Sequence, residues 1–155
     1  MSVAKMLKGH ELFQSLSFEE VERASSFSGL KEYGKDDVIF DSGVVGSHIF
    51  VLQQGYVSLR LPAAAHEASL LVGRLERGDM FGLSPLLGPG RHTTAAQCTE
   101  ASTVLAIEAD PFRSLLEENA QVGLHIMSAM AREYFSRYVE TLTRVQRIVN
   151  EIAAI

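Results

Sequence analysis

The stretch Gly78–Cys98, GDMFGLSPLLGPGRHTTAAQC, is where the backbone of this chain is most constrained and where polar side chains meet a helix start. Gly78-Asp79 has the make-up of a tight turn, and Phe81-Gly82 lets the chain pass close to a neighbour. Ser84-Pro85 opens a short helical turn, because proline at the first helical position gives up only an amide that has no helical partner. Gly88-Pro89-Gly90 breaks that turn. Arg91-His92-Thr93-Thr94 then brings a cation, an imidazole and two hydroxyls to the start of a new strand. Exposed amides at a helix start beside a basic side chain favour a small anion, with phosphate the obvious candidate.

Outward from this stretch, residues 30 to 107 alternate short apolar runs with Gly, Asp and Pro at close intervals, the pattern of an antiparallel β structure. Strands are expected near 30–33, 37–40, 48–54, 56–61, 69–75, 92–98 and 102–107, folded as a double-sheet roll. Pro62–Glu67 reads as the loop between two paired strands. Residues 1–30 read as helical. Ser17 with Glu20 forms a capping box for a helix whose apolar side takes Val21, Ala24 and Phe18, and Gly29 closes it.

After the strands, Asp110-Pro111 restarts the helical pattern, with Asp110 as the cap and Pro111 at the first position, and this helix ends near Asn119. Beyond it, Leu124, Ser128, Ala131, Phe135, Tyr138, Leu142, Val145, Val149 and Ile152 recur at alternating spacings of four and three, a heptad pattern. Met127, Met130 and Tyr134 form a second apolar strip. Two strips predict two partners for this helix, its own β-roll and a second subunit, so a homodimer through the C-terminal helix is expected; the alternative is that both strips pack inside one monomer.

Composition narrows the function. With 155 residues the chain fits one domain, 1–155, divided into a helical part (1–30), a β-roll (30–108) and C-terminal helices that include the dimerisation helix (110–155). The formal net charge is −5 and the arginines are interleaved with glutamates, so no basic stripe invites a phosphate backbone and no direct DNA binding is expected. The single cysteine, Cys98, permits no disulfide within one chain and fits a core position in a reducing compartment. No apolar run has the length of a signal peptide or a membrane span, so the expected location is cytoplasmic and away from membranes.

The residues Leu12-Phe13-Gln14-Ser15-Leu16, Tyr33-Gly34, Ile39–Gly43, Ile49–Val57 and Gly78–Gly82 resemble, in their glycine and apolar spacing, the cyclic-nucleotide-binding domain family. That family includes catabolite activator proteins, kinase regulatory subunits and nucleotide-gated channels. The resemblance covers about residues 10 to 150 and implies an α+β fold, a jelly-roll β-barrel (double-stranded β-helix) with N-terminal helices and a long C-terminal dimer helix. It also implies the site. In the family a glutamate directly after the glycine holds the ribose, and an arginine at the next strand start pairs with the cyclic phosphate. Here Leu83 stands at the glutamate position. The arginine position falls on His92 without gaps, and on Arg91 with a shift of one residue. The ligand-binding candidates are therefore Gly82, Leu83, Ser84, Arg91, His92 and Thr93, for a cyclic nucleotide or another small anion, with no certain cofactor.

A leucine accepts no hydrogen bond from a ribose, and an imidazole lacks the permanent charge and bidentate fork of a guanidinium. The expected function is a regulatory or sensor module with a degenerate phosphate pocket, not an enzyme, acting through a protein partner. Three alternatives follow from the same residues. The chain is an ordinary cyclic-nucleotide receptor if Arg91 binds the phosphate. It is the sensor part of a transcription regulator if its helix-turn-helix lies elsewhere, since nothing of the kind precedes Ile155. The resemblance also implies a haem sensor if a histidine ligates iron, since some relatives of the bacterial regulators in that family bind haem. A cupin-type metalloenzyme would need paired ligand spacing, which His10, His48, His66, His92 and His125 do not show.

Overall fold

Two strands carry uninterrupted apolar runs, Ile49-Phe50-Val51-Leu52 and Val104-Leu105-Ala106-Ile107, and both are buried along their length. A strand needs apolar side chains on both faces only when both faces are covered. The computed structural model of the chain, which describes residues 2–62, 69–88 and 90–154, shows that arrangement. Ile49, Val51, Leu105 and Ile107 join Phe13, Phe112, Leu115, Ile126 and Met130 in a core between sheet and helices. Phe50, Leu52, Val104 and Ala106 face the other way and meet Val57, Leu59, Leu75, Phe81 and Ala96 in a second core between two sheets.

The strands are β1 (Ser28–Tyr33), β2 (Val38–Phe40), β3 (His48–Gln54), β4 (Val57–Pro62), β5 (Ser69–Leu75), β6 (Met80–Phe81), β7 (Ala95–Cys98) and β8 (Ser102–Glu108). They form two four-stranded sheets in the orders β1-β8-β3-β6 and β2-β7-β4-β5, and every pairing is antiparallel. The helices are α1 (Val3–Gly9), α2 (Phe18–Ser26), α3 (Ser84–Leu87), α4 (Ala109–Glu118) and α5 (Ala120–Ala153), with a 3-10 turn at Glu11–Phe13. This is the α+β roll with flanking helices that the sequence predicts. Most of the expected loop Pro62–Glu67 falls on residues 63–67, outside the described residues.

Local chemistry fixes several boundaries. Ser17 and Glu20 form both bonds of the capping box. Asn119 separates the last two helices, and its side chain accepts from the Val122 N–H. Three details differ from expectation. Gly29 does not close α2, which ends at Ser26, because residues 28–33 are drawn into pairing with β8. Phe18 is 76% exposed, leaving Val21 and Ala24 as the buried side of α2. Asp110 is not the cap of α4. The helix begins at Ala109, two residues before the expected Pro111, with Glu108 at the cap position, because Ala109 is buried and its N–H donates to the Ser47 carbonyl, while Asp110 pairs with Arg113.

β6 is an edge strand only two residues long, and α5 covers it. The Met80 N–H donates to Glu133 Oε1 at 3.3 Å and the Met80 carbonyl accepts from Arg137 Nη2 at 2.6 Å. The outward-facing backbone of an edge strand needs such partners when it is buried. One turn of α5 thereby anchors the start of the stretch on which the sequence turns.

Candidate ligand-binding site

The turn before β6 closes as its composition predicts: the Gly78 N–H donates to the Leu52 carbonyl, the Asp79 N–H donates to the Glu76 carbonyl, and the Glu76 N–H donates to Asp79 Oδ2. Gly82 follows with φ +66°, and a Cβ there would stand 2.9 Å from both Phe40 Cε2 and Phe50 Cδ2. Only glycine fits that close approach in a left-handed conformation. The chain then turns through α3, leaving Leu83 1% exposed in the helix-side core and Pro85 and Leu86 buried.

Between this turn and α5 lies a cavity of about 350 Å3. Its sheet side is Phe40, Leu59, Leu61 and Val72. Its mouth carries Ser84, Thr93 and Thr94, and α5 supplies Tyr134, Arg137, Tyr138 and Thr141. Gly82, Leu83 and His92 complete the wall, so five of the six expected site residues line one space. Arg91 does not. Residues 91–92 run extended against residues 43–46, bridged through Val45 and Arg91 and through the His92 N–H to the Val44 carbonyl. Successive side chains of an extended segment point to opposite faces. His92 therefore turns inward, 5% exposed, and Arg91 turns out, its guanidinium donating to the Gly43 carbonyl. The strand expected from residue 92 begins at Ala95.

His92 stacks on Phe40 with ring centroids 3.8 Å apart and planes 16° from parallel. Its Nδ1 is buried with no hydrogen-bond partner among the described residues. Burial pushes the imidazole below its ordinary value of 6.5, so the ring is held neutral. The other cation in the wall has a counter-charge and an acceptor. Arg137 binds the Met80 carbonyl, lies 3.7 Å from Glu133 and stands over the Tyr134 ring, 5.1 Å from its centre. Burial raises the Glu133 carboxyl, against the pull of the Met80 N–H and Arg137. The Leu83 N–H, at the start of α3, donates to Tyr134 Oη at 3.4 Å, so this amide is not open to an anion.

The α5 residues and the sheet residues of the cavity were not among the expected set. Their signals were present: Tyr134, Arg137, Tyr138 and Thr141 fall at helical spacings of three and four, and Leu59 and Leu61 alternate along β4. Neither signal separates a cavity wall from an ordinary core face. Among the described residues no three His, Cys, Asp or Glu side chains converge as metal ligands, and no helix is long and apolar enough to cross a membrane.

The model of the cyclic nucleotide-binding domain matches residues 30–119. The chain is 28% identical over 127 residues to the cyclic AMP receptor protein of Thermus thermophilus, covering 81% of this chain and 58% of the relative. It is 34% identical over 94 residues to a cAMP-dependent protein kinase regulatory subunit of Mycosarcoma maydis, covering 59% of this chain and 18% of the relative. The chain thus spans less than two thirds of either curated relative. The crystal structure of a candidate cyclic nucleotide-binding protein from Geobacter metallireducens GS-15 superposes with a TM-score of 0.76 at 25% identity, over 89% of this chain and 99% of that one.

Proposed function

The chain belongs to the cyclic nucleotide-binding domain family, and from that premise we propose that it is a dimeric regulatory module whose pocket no longer holds an ordinary cyclic nucleotide tightly. The observation that carries this reading is the pair of side chains at the ribose and phosphate positions. Leu83 is an apolar core residue, and His92 is a neutral, stacked imidazole. Losing one charge-assisted bond to a buried ligand costs about 1.5–3 kcal/mol, or roughly tenfold to a hundredfold in affinity, and here two are missing.

Output through protein contact is supported by α5. Phe135, Tyr138, Leu142, Val145, Val149 and Ile152 are all 48–65% exposed, in the heptad pattern read from the sequence, while Met130 is fully buried against the roll. An unpartnered apolar stripe of this length fits a second copy of the same helix.

Calorimetry with cyclic AMP and cyclic GMP, together with light scattering of the same sample, tests the reading. Weak or absent heat and a dimer are expected. Arg91 carries the competing reading, an ordinary receptor, because it is adjacent in sequence and a rearrangement of residues 90–92 would bring its guanidinium inward. Tight, pH-independent binding that vanishes in Arg91→Ala but not in His92→Ala would establish that alternative.

A further inference from the structure

We infer that the cavity between the roll and α5 takes an uncharged aromatic molecule that carries a hydrogen-bond acceptor. The inference rests on the proposed loss of the phosphate site and goes on to name what replaces the nucleotide.

Three observations converge. The first is size: about 350 Å3 is within the range of small-molecule sites and large enough for a fused-ring ligand. The second is charge. Arg137 faces Glu133 at 3.7 Å and gives one N–H to the Met80 carbonyl, burial lowers His92, and Arg91 turns outward, so among the described lining residues no cation stands without a counter-charge to repay an anion for its lost hydration. A neutral ring system meets Phe40, Leu59, Val72 and the two tyrosines, with which it stacks and buries apolar surface.

The third observation is a spare donor. Tyr134 Oη accepts from the Leu83 N–H, and among the described residues its own hydrogen goes to no acceptor. Burial raises the Tyr134 hydroxyl above its ordinary value of 10.0, so it remains a neutral donor throughout the physiological range. A ligand carbonyl in the cavity would complete it.

Calorimetry on the full chain with acetylnaphthalene and with naphthoate separates the possibilities, because the two share a ring and differ in charge. The ketone is expected to bind at one site per chain, with naphthoate at least about tenfold weaker. Tyr134→Phe should weaken the ketone about three- to tenfold, the loss of one neutral hydrogen bond, and leave the fold intact. Val72→Trp or Thr94→Phe, which fill the cavity, should abolish binding, with circular dichroism confirming that each variant folds. The inference is overturned by absent ketone binding, by naphthoate binding as well as the ketone, or by ketone binding indifferent to Tyr134→Phe. Absence of both ketone and cyclic nucleotide binding would sink this inference alone, whereas tight cyclic AMP binding would sink the reading on which it rests.

Discussion

The His92 imidazole lies flat on the Phe40 ring, centroid to centroid at 3.8 Å, with its Nδ1 buried and unpaired. A protonated ring there would be a buried cation with no carboxylate partner among the described residues. Its folded-state value is therefore below the ordinary 6.5, and the unfolded chain binds the proton more readily. Stability from this group is present above about pH 6.5 and is lost as pH falls toward the folded value. His48 is lowered too, by burial and then by Lys31 against Glu108, and adds a slope of the same sign. Thermal melts of wild type and His92→Phe across pH 5 to 8 isolate the His92 share. The variant keeps a ring against Phe40 and should show the shallower acid-side loss; identical slopes would mean that His92 is not held neutral.

Gly82→Ala should be among the most damaging small substitutions in the chain. The backbone there has φ +66°, and the added methyl would meet Phe40 and Phe50 at 2.9 Å. Those rings stack on each other at 5.7 Å, and Phe50 on Phe81 at 5.3 Å, so neither can swing away alone. Left-handed strain of about 1–2 kcal/mol and overpacking of about 1–3 kcal/mol give a combined loss of about 2–5 kcal/mol. Urea unfolding measures it. A loss under about 1 kcal/mol would show that the aromatic cluster is looser than its geometry.

These two residues also show how far sequence reasoning reaches. The glycine was legible, because Phe-Gly before Ser-Pro has few uses other than a close approach. The continuous apolar runs of β3 and β8 were legible too, as was the capping box at Ser17. What was hidden is long-range. Whether His92 or Arg91 faces inward depends on one residue of register against the loop at residues 43–46, and nothing local sets it. The two-residue strand β6 exists only because β3 lies on one side of it and Glu133 and Arg137 on the other. The α5 side of the cavity looked like any amphipathic face until the sheet opposite it was in place.

The grip of α5 on β6 should be strongly coupled. Arg137→Met keeps the apolar stem over Tyr134 but leaves the Met80 carbonyl without its charged donor and Glu133 without its counter-charge. A loss of about 1.5–3 kcal/mol is expected. Glu133→Gln alone retains an acceptor for the Met80 N–H. Adding it to Arg137→Met should recover part of the loss, since the stranded carboxylate is then removed. Chemical denaturation of the two single variants and the double variant gives the coupling. Simple additivity would show that the two side chains hold Met80 independently.

Leu142→Asp tests the exposed stripe of α5. Leu142 is 48% exposed, with Tyr138, Val145 and Val149 beside it at heptad spacing. In an isolated chain this substitution removes partly exposed apolar surface and should change stability by less than about 1 kcal/mol. At a helix–helix seam it places unpaired charges opposite each other, and the assembly should fall to monomer. Light scattering distinguishes the two, and a wild-type monomer at micromolar concentration would refute the seam.

Leu83→Glu asks whether the position proposed for the ribose contact faces a ligand or the core. Leu83 is 1% exposed among the helix-side core residues, so the new carboxyl would enter apolar surroundings. Removing a buried leucine's packing costs about 2–5 kcal/mol, and a charge there is excluded unless it takes up a proton. The folded-state value of the new carboxyl would be raised above the ordinary carboxylate range. The native state then binds more protons than the unfolded one, so stability falls as pH rises through that range toward the folded value. The gap between wild type and variant should accordingly widen between about pH 4 and neutrality. A carboxyl facing an open, hydrated cavity would instead cost less than about 1 kcal/mol with little pH dependence, and would count against the proposed loss of the ribose contact.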